Sequence, residues 1–272
     1  MMKLKGKVAV VTRGGQEFGR LSALRLAKLG ADVVIQDWDL DSGKKQGEKL
    51  TADTVMDEIR ALDRRCTGYE VDITDKKAVD DMFARIMDEY SRVDILVNAH
   101  RYVMGFDKPE LLYAASVTEE KLNENMYVNF FATVWTCQAA ARAMMQQKSG
   151  KIITIVSNAA LRAQMVGKDF HAGGYGPGLA AVINYSWHLA SELGVYGVNV
   201  NCISAGASLT HSAKKLAEAG TVDLKQYASN IPLGKLNEPD DLAKVVEFLA
   251  TDLSDMVTAQ TLVVDGGGIR FR

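Results

Sequence analysis

The chain has 272 residues, 47% hydrophobic, 24% charged and 7% aromatic, and its 32 basic and 34 acidic residues leave a net charge of −2. This composition excludes a disordered or fibrous chain. The near-neutral balance without a basic run excludes a groove binder for nucleic acid or an acidic membrane surface. No apolar stretch reaches the roughly 18 to 20 residues of a membrane span, and residues 1–11 have no signal-peptide cleavage pattern, so a cytoplasmic location is expected.

Taken in order, short β-branched runs at 7–11, 32–36, 66–71, 94–97, 151–156, 199–203 and 260–264 predict buried strands. Between them, amphipathic runs at 20–29, 76–90, 129–145, 179–193 and 240–250 predict helices. Apolar positions such as Phe131, Val134, Trp135, Val182, Ile183 and Trp187 fall at helical spacing and read as core or interface. This βα alternation predicts an α/β fold: a single Rossmann-type doubly wound parallel sheet of about seven strands with helices on both faces. No linker composition divides the chain, so residues 1–272 read as one domain. The polar stretch 37–54 reads as a loop with room for a short helix and is given no function. Cys66, Cys137 and Cys202 are too far apart for a disulfide framework or a zinc site and are expected to be inert. His100, His171, His188 and His211 have no metal-ligand spacing, so no metal is expected.

In an open sheet of this kind, ligands bind beyond the carboxyl ends of the strands where the winding reverses. The first such segment is Thr12-Arg13-Gly14-Gly15-Gln16-Glu17-Phe18-Gly19, which resembles the T-G-x-x-x-G-x-G loop of the short-chain dehydrogenase/reductase family. The resemblance continues through Asp94-Ile95-Leu96-Val97-Asn98-Ala99 against D-I-L-V-N-N-A-G, then Asn129, then Ser157 after its strand. Tyr175-Gly176-Pro177-Gly178-Leu179 lies over Y-x-A-S-K, Asn201 to Thr210 over N-x-x-x-P-G-x-x-x-T with Ala205 for the proline, and Asp265-Gly266-Gly267 over the terminal D-G-G.

The resemblance implies hydride transfer with NAD, a tyrosine acid or base (Tyr175), and Ser157 and Asn129 orienting the substrate and proton path. Free tyrosine titrates near 10, so it needs a nearby cation to act near neutral pH. The family's lysine position holds Leu179, and Pro177 could delay the helix start. Phe170, at the more usual spacing from Ser157, is the other candidate for the tyrosine position and has no hydroxyl. Asn129, Ser157 and Tyr175 have a second reading as structural hydrogen-bonding groups.

The cofactor positions tell a similar story. Gly19, Asp37, Asp72, Asn98 and Thr210 keep family positions, and Asp37 would favour NAD over NADP. Arg13 and Glu17 replace two loop glycines and are expected to oppose binding, although Gly14 and Gly15 could let the loop re-register. A carboxylate about 4 Å from a phosphate costs roughly 4 kcal/mol at an effective dielectric of 20, close to a thousandfold in affinity. His100 and Arg101 stand where the family has small residues and would crowd the cofactor.

The resemblance therefore implies a degenerate member: a non-catalytic subunit binding no cofactor itself. It would pair in a hetero-oligomer, with a tetramer expected, with an active short-chain dehydrogenase subunit carrying NAD, through helices 129–145 and 179–193. An active NAD-dependent alcohol dehydrogenase or ketoreductase with an altered site is the alternative, and a ligand-sensing module is a third. The tail Gly266 to Arg272, with Arg270 and Arg272, reads as a frayed end that could reach a neighbouring subunit.

Overall fold

The computed structural model describes residues 2–100, 114–162, 175–220 and 222–269. Arg101, Phe170, His171, Arg270, Arg272 and the stretch 167–174 lie outside these residues. The strands are β1 (Val8–Thr12), β2 (Asp32–Asp37), β3 (Cys66–Glu70), β4 (Ile95–Asn98), β5 (Gly150–Ser157), β6 (Val198–Ala205) and β7 (Thr261–Val264). They form one sheet in the order β3-β2-β1-β4-β5-β6-β7, with every pairing parallel. The winding reverses between β1 and β4, where Thr12 pairs in register with Asn98.

Side-chain alternation along the strands builds two cores. Val8, Val10, Val34, Leu96, Ile152 and Val200 face one way and pack on α4 (Lys76–Tyr90), α6 (Ala132–Gln147) and α7 (Tyr175–Leu193). Ala9, Val11, Val33, Ile35, Val97 and Ile153 face the other way and pack on α1 (Glu17–Lys28), α3 (Val55–Arg60) and α10 (Pro239–Ala250). Because strands buried on both faces need no polar alternation, the apolar runs in the sequence were sufficient to locate all seven.

The structure adds elements that periodicity did not separate. The stretch 37–54 contains α2 (Ser42–Gln46), α3 follows it directly, and α5 (Glu119–Asn125) precedes a π-helical turn (Met126–Phe131) leading into α6. Beyond β6 lie α8 (His211–Glu218) and α9 (Leu224–Ser229), neither with a buried residue. Such short, solvent-exposed helices carry little apolar signal. Pro177 does not delay α7; it sits inside the first turn, where its missing N–H costs nothing. The tail is not frayed where it begins: the Gly267 and Ile269 N–H groups donate to the Asp265 carboxylate at 2.8 and 2.6 Å. The three cysteines are buried, and burial pushes the Cys66 and Cys137 thiols up to about 12 and Cys202 up to about 11, which makes them inert as nucleophiles.

Candidate functional site

The switch point between β1 and β4 is bridged by His100. Its Nδ1 lies 2.8 Å from the Thr12 hydroxyl and its Nε2 lies 3.1 Å from the Thr133 hydroxyl. Thr12 Oγ1 also accepts from the Ala99 and His100 N–H groups, while Thr133 donates its hydroxyl proton to the Asn129 carbonyl at 2.7 Å. A hydroxyl has one proton to give. Thr133, having spent its own, accepts from His100 Nε2–H, and Thr12 donates to Nδ1. The imidazole is therefore neutral and joins β1, β4 and α6. Burial first, and the Arg13 cation second, push its pKa down to about 3.

The loop after β1 does not re-register. Arg13 (φ 49°) and Glu17 (φ 42°) adopt the left-handed conformation themselves, while Gly14 and Gly15 do not. For non-glycine residues this costs about 1–2 kcal/mol each. Gly19 is required by sterics, since a Cβ there would lie 2.1 Å from the Arg13 carbonyl oxygen. Glu17 uses both ends. Its N–H donates to Glu48 Oε1 and its own Oε1 accepts from the His211 N–H, each at 2.7 Å. Glu48 and Glu58 are in turn held by Arg20, whose fork meets Glu58 at 2.7 and 2.6 Å and Glu48 at 3.3 Å. Sequence reading gave the 37–54 stretch no role and missed Arg20, Glu48 and Glu58. Separations of 28 and 38 residues leave no local signal for such a network.

The retained cofactor positions make their bonds within the chain. The Asp37 carboxylate accepts from the Gly15 N–H, the Ser42 hydroxyl and the Trp38 N–H at 3.1, 3.1 and 2.9 Å. Burial raises its pKa, opposed by Arg13 and these donors. Asp72 is exposed and accepts from Thr74 N–H and hydroxyl. Thr210 caps α8 through the Ala213 N–H. Asn98 is fully buried, donating to Cys137 Sγ and Thr154 Oγ1 and accepting from Thr136. Arg13, Asp37, Trp38 and His100 line a shallow depression beside the switch point.

The segments that carry Asn129, Ser157 and Tyr175 pack against one another. Ser157 ends β5, and its Oγ accepts from the Ala159 N–H at 3.3 Å. The first turn of α7 is pressed against this strand end, since a Cβ on Gly176 would lie 2.7 Å from the Ala159 carbonyl oxygen. Gly178 faces the π-helical turn, where a Cβ would come 3.9 Å from that of Asn129. The Asn129 amide donates to the Asn125 carbonyl at 3.1 Å, and the wider π turn around it is a feature often found at functional sites. Tyr175 opens α7 at 4% exposure, and Leu179 lies one turn on at 2%. Both join an apolar cluster with Val156, Val182, Ile183 and Cys202. A lysine at 179 would place its cation one helical turn from the phenol; leucine gives a hydrocarbon wall instead. Among the described residues, no group of three His, Cys, Asp or Glu side chains is placed to hold a metal ion.

Residues 16–268 match the family described as Enoyl-(Acyl carrier protein) reductase. The chain is 40% identical over 271 residues to a cyclohexanol dehydrogenase of Rhodococcus sp. (strain TK6), covering 98% of this chain and 97% of that one. It is 36% identical over 270 residues to the (2S)-[(R)-hydroxy(phenyl)methyl]succinyl-CoA dehydrogenase subunit BbsD of Thauera aromatica, covering 99% of both. A solved short-chain type dehydrogenase/reductase from Mycobacterium marinum superposes with a TM-score of 0.82 at 27% identity, covering 98% of this chain and 97% of that one. The chain belongs to the short-chain dehydrogenase/reductase family, a family of oxidoreductases on a Rossmann-type sheet.

Proposed function

We propose that this chain is a non-catalytic short-chain dehydrogenase subunit. It pairs with an active NAD-dependent subunit that oxidises a hydroxyacyl-type substrate, of the 2-[hydroxy(phenyl)methyl]succinyl-CoA kind handled in anaerobic toluene degradation. On this reading residues 1–272 act as one unit in the cytoplasm; no helix among the described residues is long and apolar enough to cross a membrane. The observation that carries the proposal is the apolar wall of Leu179 below Tyr175. Leu179 supplies no cation where the family's lysine would stand, and loss of general acid–base function costs around 10²- to 10⁴-fold in rate.

The residues present do not fit a dinucleotide. A pyrophosphate at the start of α1 would meet the Glu17 carboxylate, and the Glu17 N–H is already given to Glu48. Asp37 accepts three hydrogen bonds from its own segment, two of them on one oxygen. His100 bridges the switch point through Thr12 and Thr133. Calorimetry of the purified chain with NAD+ and with NADH is expected to show no binding up to millimolar concentration, and Leu179→Lys alone is expected to give no turnover. A micromolar Kd, or appreciable activity from that single substitution, would overturn the proposal in favour of an active NAD-dependent alcohol dehydrogenase or ketoreductase. That second reading has support in the packing of the segments that carry Asn129, Ser157 and Tyr175 and in relatives named as dehydrogenases.

A partner-facing role for α6 and α7 is supported by an aromatic ladder at helical spacing. Tyr127 and Phe131 have ring centroids 5.1 Å apart, Phe131 stacks on Trp135 at 5.8 Å, and Phe130 meets Tyr185 edge-on at 6.2 Å. Tyr127 and Trp187 are about half exposed, at 52% and 47%, and aromatic side chains are enriched at interfaces. Co-expression with candidate short-chain dehydrogenases is expected to yield a stoichiometric complex. A chain that is stable, homo-oligomeric and active alone would rule the subunit role out.

A further inference from the structure

The strap that follows β6, described over residues 207–220 and 222–230, is fixed at its base. The Leu209 N–H donates to the Asn237 carbonyl at 2.8 Å, and the Asn237 N–H to the Ala207 carbonyl at 3.0 Å. Beyond that base, α8 and α9 have no fully buried residue, and Leu216, Leu224 and Tyr227 are partly buried. The Thr210 side chain satisfies the Ala213 N–H within the strap itself. The His211 N–H is instead given to Glu17, 194 residues away and 2.7 Å distant. The His211 ring lies beside Gly47, where a Cβ would come 3.4 Å from the ring carbon Cε1.

The position of this contact gives it a consequence. Glu17 stands after β1 and His211 after β6, and in the sheet β4 and β5 lie between those strands. With neighbouring strands about 4.8 Å apart, a link from one segment to the other spans the carboxyl ends of the strands that carry Asn98 and Ser157. Glu17 keeps a left-handed backbone, a conformation that glycine would adopt without cost. Strain retained at a carboxylate that makes one long-range bond points to a role for that bond. Glu48 holds the Glu17 N–H, and Arg20 holds Glu48, so the carboxylate projects from an anchored residue.

We propose that Glu17 is a built-in latch, its carboxylate holding the 207–230 strap closed across the carboxyl-end crevice with no bound ligand needed. The proposal rests on the preceding reading in one respect: a pyrophosphate on α1 would displace the carboxylate. The latch also gives the altered loop a positive role, because the residue that opposes a dinucleotide also fastens the segment above its cleft.

Hydrogen–deuterium exchange of the full chain tests it. In Glu17→Ala, amides of residues 211–229 are expected to exchange about tenfold faster than in the wild type, with β1, β4, β5 and β6 unchanged. Glu17→Gly removes the carboxylate and the backbone strain together, so it should loosen the strap equally while melting no lower than Glu17→Ala. Should Glu17→Ala accelerate exchange in the strands too, the glycine variant decides. Wild-type exchange of 211–229 in the glycine variant would overturn the latch. Binding of NAD+ to the wild-type chain would overturn the cofactor-free reading and leave the exchange result standing, so the two can fail separately.

Discussion

Acidification from pH 7 to pH 4.5 is expected to destabilise the fold by roughly 2–3 kcal/mol through His100 alone. Its pKa in the folded chain is near 3, against about 6.5 in an unfolded one. Between those values the unfolded state binds the proton and the folded state does not, so stability falls as pH falls. The loss begins near pH 6.5 and levels off near pH 3. The structural cause is that protonation would add a second ring donor facing Thr12 Oγ1, which already accepts from two backbone N–H groups. Carboxylates with shifted pKa values add their own pH dependence. His100→Gln, which retains a donor and an acceptor for Thr12 and Thr133, isolates the histidine contribution. Denaturant titrations of the two proteins at pH 7 and 4.5 should differ in slope by nearly one proton; parallel pH profiles would show that His100 titrates normally.

Arg20→Met is expected to cost about 3–5 kcal/mol, the usual penalty for stripping one partner from a buried ion pair. The Glu58 side chain is 1% exposed and receives two nitrogens of the guanidinium together with the N–H and hydroxyl of Thr51. Without Arg20, a buried carboxylate faces no cation, and Glu48 loses its hold beside the Glu17 N–H. The double variant Arg20→Met/Glu58→Met should be more stable than Arg20→Met, because a buried pair replaced by apolar groups of similar volume is often neutral. Chemical denaturation of the three proteins checks this, and an Arg20→Met chain within 1 kcal/mol of wild type would refute it. The same change should free the 48–54 segment and speed exchange at the start of α1.

The seven strands and the helices at 76–90 and 240–250 were legible to within a residue or two, because each is defined by apolar positions that a local period reveals. The substitutions at Arg13, Glu17, His100 and Leu179 were legible as well, since each falls inside an ordered motif. What could not be read was how the chain accommodates them. Loop re-registration through Gly14 and Gly15 was the local expectation, yet the side-chain-bearing residues take the left-handed turn. The reason is long-range: Gly14 donates to the Gln36 carbonyl and Gly15 to Asp37 on β2, which pins the register. Likewise, His100 looked merely bulky in the sequence, whereas in the fold it is a three-element bridge whose partners lie 88 and 33 residues away.

The sequence by itself determined the sheet and the family, because hydrophobic period and motif order are properties of neighbouring residues. Only the tertiary structure decided that Glu17 fastens α8, that Arg20 anchors the 37–54 stretch to α1, and that Tyr175 and Leu179 share one apolar pocket. Those facts depend on which polar groups are brought within about 3 Å across the carboxyl edge of the sheet. A carboxylate without a local partner can find one almost two hundred residues away, and its role follows from where the fold places that partner.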